Sequence, residues 1–210
     1  MLKKLIFVFI SIIFFSSCIE SNVSILIGND FSGTADVTYV ISGKSEYISS
    51  DLTSLRYQFL AIDEESLRNI TDRNNALVLK NYTYEEGGDT SKVSFSIDFS
   101  SPEEIEKLTS PGGAAPLLSI GRPENGKITV KLRSPFSAGT DEKTKSLLKA
   151  LYGDNILSFR ITIPGFITST SIGELTEDPS SALLKLTFGQ LIDSEEDIIW
   201  ILDYTQSTGG

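Results

Sequence analysis

Polar and apolar residues alternate with a period of two along much of the chain. Ala35, Val37, Tyr39 and Ile41 alternate with Thr34, Asp36 and Thr38. Val93, Phe95, Ile97 and Phe99 alternate with Ser94, Ser96 and Asp98, and Ile128, Val130 and Leu132 alternate with Thr129 and Lys131. Each run reads as a strand with one dry face and one wet face, the pattern of antiparallel sheet packed on one side. The turns between runs agree. Gly28-Asn29-Asp30-Phe31-Ser32-Gly33 is expected to join a first strand, Val23 to Ile27, to the second as a hairpin. Glu86-Gly87-Gly88-Asp89 is expected to join Ala76–Tyr84 to Lys92–Phe99 in the same way.

Helix punctuation interrupts this pattern at three places. Ser101-Pro102-Glu103-Glu104 puts a capping serine before a proline at the first helical position, opening a short helix through about Leu108. Thr140-Asp141-Glu142-Lys143 opens another, with Leu147, Leu148 and Leu151 as its apolar stripe and Gly153 as its stop. Asp51 to Asp72 reads as one broken helix or two short ones, with Leu55, Phe59, Leu60 and Leu67 facing inward. Ser110-Pro111-Gly112-Gly113-Ala114-Ala115-Pro116 is a loop. The expected fold is therefore a single α+β domain, a curved and mostly antiparallel sheet with three or four short helices packed on it.

The first residues follow a different grammar. Lys3 and Lys4 precede an apolar run from Leu5 to Phe15, and Ser16-Ser17 then leads to Cys18, the only cysteine. A membrane-spanning helix needs about 20 apolar residues, and this run is roughly half that. A secretory leader of about 7–15 apolar residues behind a positive start fits it, and the order small-small-cysteine is that of a bacterial lipoprotein signal. The usual lipoprotein box has Leu three positions before the cysteine, where this chain has Phe15. The expected organisation is a signal peptide over 1–17, a lipidated Cys18 with a short tether over 18–22, a domain over 23–205 and a disordered tail over 206–210. Cys18 would carry diacylglycerol and palmitate and hold the chain on the extracytoplasmic side of an envelope membrane.

Charge and composition narrow the chemistry. The 210-residue chain has a net charge of −10, and its leader holds two lysines and no acid. An acidic surface repels phosphate, so no nucleic-acid partner is expected. Membrane residence must come from the acyl chains, at about 0.8 kcal/mol per buried methylene. With one cysteine, the domain has no internal disulfide and depends on its apolar core. Histidine is absent, which excludes Ser-His-Asp and Cys-His nucleophilic systems within this chain. With Cys18 consumed by lipid, zinc, copper and haem sites built on imidazole or thiolate lack ligands. No calcium loop, phosphate loop or nucleophile elbow is present. No cofactor and no metal is expected, and the chain reads as a binding protein rather than an enzyme.

The C-terminal third carries a longer pattern. Ser158–Ile163 reads as a strand, Pro164-Gly165 as a turn and Phe166-Ile167 as the start of a return strand, followed by Thr170-Ser171-Ile172-Gly173. A strand from Ala182 to Phe188 and a closing strand from Asp197 to Tyr204, with Trp200, complete it. This succession, with the strand-turn-strand directly behind the cysteine, resembles the LppM-type domain of bacterial lipoproteins. Such domains carry a tryptophan in the penultimate strand, which here reads Ala182-Leu-Leu-Lys-Leu-Thr-Phe188. The resemblance implies a curved antiparallel sheet with helices against it and an envelope role in lipid or glycolipid binding, with no catalytic set to carry over. The alternative is a structural or protein-interaction lipoprotein without a small-molecule ligand.

Several local features have a functional and a plain reading. Asp193-Ser194-Glu195-Glu196-Asp197 could attract a hard cation, but a solvated acidic turn is the expected reading. Tyr82 and Tyr84, on a strand face with Lys80, could contact sugar or lipid, and are expected to be cross-strand packing pairs. Adjacent Glu64 and Glu65 diverge on a helix and form no catalytic pair. The stripe from Leu147 to Leu151 is expected to be core, with a ligand cavity between helix and sheet as the other reading. Gly112-Gly113 has no phosphate-binding context.

Overall fold

The computed structural model describes residues 20–42, 64–87, 90–109, 116–134 and 141–206. Cys18 and the leader, Leu55, Phe59 and Leu60, the Gly112-Gly113 pair, Thr140 and residues 207–210 lie outside the described residues.

One-sided burial turns each alternating run into a strand. β1 (Glu20–Ile27) buries Ser21, Val23, Ile25 and Ile27, and β2 (Gly33–Ser42) buries Ala35, Val37 and Tyr39. The two form the expected antiparallel hairpin. β3 (Leu77–Gly87) and β4 (Thr90–Phe99) form the second, and Val93, Phe95, Ile97 and Phe99 all point into the core. β1 begins three residues before the expected Val23, so Glu20, Ser21 and Asn22 are strand rather than tether. Gln206, expected in the tail, closes the last strand.

The remaining strands are β5 (Leu118–Ile120), β6 (Lys127–Leu132), β7 (Ile156–Thr162), β8 (Gly165–Thr170), β9 (Glu174–Leu175), β10 (Ser181–Thr187) and β11 (Ile198–Gln206). They divide into a seven-stranded sheet, ordered β3-β4-β2-β1-β7-β10-β9, and a four-stranded sheet, ordered β5-β6-β11-β8. All pairs are antiparallel except β1 with β7, which run in the same direction. The mostly antiparallel α+β fold is the one expected, built as two sheets over one contiguous core. Trp200 of β11 lies at its centre with no exposed surface.

Pro164-Gly165 does not turn a hairpin. β7 belongs to the large sheet and β8 to the small one, so this dipeptide carries the chain from one sheet to the other. Gly165 has φ +143°, and a β-carbon there would lie 2.2 Å from the Thr205 carbonyl oxygen. Close approach of β8 to β11 therefore requires glycine.

Helices fill the gaps. α1 (Glu64–Asp72) buries Leu67 as expected. A 3₁₀ turn (Pro102–Glu104) runs into α2 (Ile105–Leu108), with Ser101 in the cap position but without a side-chain capping bond. α3 (Glu142–Tyr152) is capped by Asp141, whose carboxylate accepts from the Thr144 N–H at 3.0 Å. Its stripe divides: Leu148 is buried, Leu147 is exposed, and of Leu151 only the backbone is described. α4 (Phe188–Asp193) replaces the expected end of the β10 strand at Phe188. Its capping box joins Thr187 and Gln190. α3 and α4 meet where the Gly189 N–H donates to the Gly153 carbonyl at 2.9 Å. Tyr152 meets Phe188 edge-on at 6.3 Å beside Leu148 and Ile192, a small second core.

Candidate functional site

At the end of the large sheet where β1 turns into β2, the loop from Gly28 to Gly33 is tightly fixed. The Gly28 N–H donates to the Ser32 carbonyl at 2.6 Å, and the Phe31 N–H to the Gly28 carbonyl at 3.0 Å. Asp30 accepts from both the N–H and the hydroxyl of Ser32, at 3.0 and 2.7 Å, and these bonds hold its carboxyl below its ordinary pKa. A β-carbon at Gly33 would lie 1.9 Å from the Leu26 carbonyl oxygen, so only glycine closes the turn. Within this frame Phe31 adopts φ +66°, a left-handed conformation that costs an L-residue about 1–2 kcal/mol. Its ring packs partly against the core, and the Arg122 guanidinium lies 5.2 Å from the ring centroid.

Beside this ring is an apolar recess lined by Ile27, Phe31, Ile128, Ile163, Pro164 and Tyr204. Burial pushes the pKa of the Tyr204 hydroxyl up. The recess has a volume of about 10 Å³, room for about one water, against roughly 300–1,000 Å³ for a small-molecule pocket. Phe166, two residues beyond Pro164, is 54% exposed and opposes Thr205. This end thus joins a strained aromatic, a cation on its face and a shallow apolar recess, while Phe166 faces outward on the side of the small sheet opposite Ile167 and Tyr204. The chemistry of this end is that of an apolar, aromatic surface with a guanidinium at its edge.

The other features read from sequence lie elsewhere. In the acidic run, Asp193 is held by Lys149, whereas Asp197 takes a two-pronged contact from Arg133 at 3.0 and 3.2 Å. The two ends are drawn to different elements, and the Arg133 bonds hold the Asp197 carboxyl below its usual pKa. Among the described residues no cluster of three or more acids or cysteines is placed to hold a metal ion. Tyr82 packs partly on the core opposite Phe95, and the exposed Tyr84 donates to the Ser91 hydroxyl at 3.1 Å. Lys80 does not share their face. It occupies a β-bulge that resets the alternation, and it pairs outward with Asp98 at 2.9 Å. Glu64 pairs along its helix with Arg68 at 2.6 Å, and Glu65 is exposed.

Among the described residues, the buried Tyr39 hydroxyl and Asn155 amide nitrogen have no partner at hydrogen-bonding geometry. Both lie toward the opposite end of the large sheet, Tyr39 across from Ser21 and Asn155 just before β7. Among the described residues no helix is long and apolar enough to cross a membrane.

Two further local signals in the sequence match the structure. Asn125-Gly126, both at positive φ, form the tight turn before β6, an arrangement favoured by that dipeptide. Thr187-x-x-Gln190 spells the capping box of α4. Phe31 carried no such signal, because its strain comes from the closure around it.

Comparison with solved structures identifies the architecture. The fold is that of the LppM domain. The folded domain of LppM from Mycobacterium tuberculosis, determined by NMR, superposes with a TM-score of 0.50 over 92% of this chain and 94% of that one, at 14% sequence identity. At that identity the likeness is one of fold alone. No protein-family model and no curated protein sequence matches the chain.

Proposed function

We propose that this chain is a non-catalytic envelope lipoprotein, held on the extracytoplasmic side of a membrane by lipid on Cys18, that works through partner binding. The observation that carries this reading is the junction of leader and domain. An LppM-like fold begins at Glu20, two residues after the cysteine that ends a lipoprotein-type leader.

Of the two binding readings, the exposed aromatic surface supports an interaction surface, while a lipid carrier would need a cavity larger than the recess beside Phe31. An acyl chain or glycolipid requires a cavity of several hundred Å³, and the recess beside Phe31 holds about 10 Å³. The outward-facing ring of Phe166 on β8 is instead the kind of exposed aromatic that anchors protein–protein contacts. Native mass spectrometry of the chain starting at Ile19, after exposure to total cell lipid, tests the choice. Apo protein is the expected result, and a stoichiometric bound lipid would return the carrier reading to first place.

A further inference from the structure

The distance between anchor and fold fixes which end of the domain meets the membrane. Resting on the proposed lipidation of Cys18, the geometry points to a specific membrane-contact face: the corner formed by α3 and the start of β7, with Leu147 and Ile156 in the headgroup region of the bilayer.

The chain between Cys18 and Glu20 spans at most about 7 Å, at roughly 3.3–3.6 Å per residue. The first residue of β1 is thus held within a headgroup layer's reach of the lipid. β7 runs parallel to β1 with Leu157 opposite Ser21, which puts Ile156 level with Glu20 on the neighbouring strand, about 5 Å away. Ile156 is 47% exposed although it starts a strand. α3 ends at Tyr152 and leads through Gly153, Asp154 and Asn155 into Ile156, so the C-terminal end of this helix lies at the same edge. On α3, Leu147 is 49% exposed, with Lys143 and Lys149 also on the surface.

Charge agrees with this placement. Across residues 141–154 three lysines balance Asp141, Glu142 and Asp154, so the segment is neutral in a chain of net charge −10. Most of the acidic surface would be repelled by an anionic leaflet, whereas this segment carries no net charge; Lys145 and Lys149 pair with Glu142 and Asp193, and the exposed Lys143 is attracted to lipid phosphate. The far end of β1, with Phe31 and Phe166 beyond it, stands roughly 25 Å further out at about 3.3 Å per strand residue. There it is free to meet another molecule.

The lipidated full chain in vesicles of phosphatidylethanolamine and phosphatidylglycerol tests the orientation. Its one cysteine is occupied by lipid, so Leu147→Cys, Ile156→Cys, Leu175→Cys and Phe166→Cys each give a single spin-label site. Labels at 147 and 156 are expected to lose broadening by a water-soluble nickel chelate and to gain broadening by oxygen. Labels at 166 and 175 are expected to keep the nickel response. Equal nickel access at all four sites in protein that floats with the vesicles would overturn the contact face while leaving the anchor intact. Wild-type protein that fails to float would instead overturn the anchor, and the contact face with it.

Discussion

The indole N–H of the buried Trp200 donates to the hydroxyl of Thr170 at 2.7 Å, joining an inner strand of the small sheet to its edge. The Thr170 hydroxyl in turn donates to the Ile172 carbonyl, so the bonds form a directed chain. Thr170→Val keeps the shape and removes the acceptor, leaving a buried N–H unpaired at a cost of about 1–3 kcal/mol. Urea unfolding followed by Trp200 fluorescence measures this, and an unchanged midpoint would show that the bond is dispensable.

Phe31 separates backbone strain from ring packing. Phe31→Ala removes the ring and the Arg122 contact but keeps a β-carbon at φ +66°. Phe31→Gly removes the same ring and relieves the strain. The glycine variant should be the more stable of the two by about 1 kcal/mol, the reverse of the usual order outside turns. Paired denaturation curves decide it, and the opposite order would mean that the turn relaxes in solution.

Gly165→Ala should be among the most damaging single changes. The new β-carbon would lie 2.2 Å from the Thr205 carbonyl oxygen and would hold φ near +143° against its preference. A loss of about 3 kcal/mol or more is expected, the range of severe single substitutions. Thermal unfolding measures it, and a melting temperature equal to wild type would contradict the close approach of β8 and β11.

Acid should destabilise the fold while neutral pH changes leave it flat. The carboxyls of Asp197, Asp98 and Glu104 are held below their ordinary pKa values, chiefly by hydrogen bonds from Arg133, Lys80 and Asn74 respectively. A lowered folded pKa gives stability that is fully present above the unfolded value, about 4. That stability is lost as pH falls through the folded value. The pairs are substantially exposed, so each contributes within about 1 kcal/mol. With no histidine to titrate, the urea midpoint should be level between pH 6 and pH 7.5 and should fall below about pH 4. A midpoint constant down to pH 2.5 would contradict these pairings.

Much of the fold was legible because burial is one-sided. Val93 to Phe99 alternate so regularly that one face had to be core, and the tight turns set which strands neighbour in sequence. Which strands share a sheet was not legible. β7 and β8 look like a hairpin around Pro164-Gly165, and only the long-range pairing of β8 with β11 separates them. The bulge at Lys80 was hidden for a similar reason, since one extra residue reverses the faces of a strand whose residues are all compatible with either. Phe188 extended an apolar run, and the capping box behind it outweighed that pattern. The end of the molecule bearing Phe31 and Phe166 combines residues far apart in sequence, which period and motif do not connect.

The proposed lipid on Cys18 would hold this LppM-like domain at a membrane. Intact-mass spectrometry of the full chain, expressed in a bacterium that processes lipoproteins and extracted from its membranes, tests it most directly. The expected species begins at residue 18 and carries the added mass of a diacylglyceryl group, and Cys18→Ala abolishes it. A membrane-extracted or secreted chain with an unmodified thiol at Cys18 would contradict lipid anchoring.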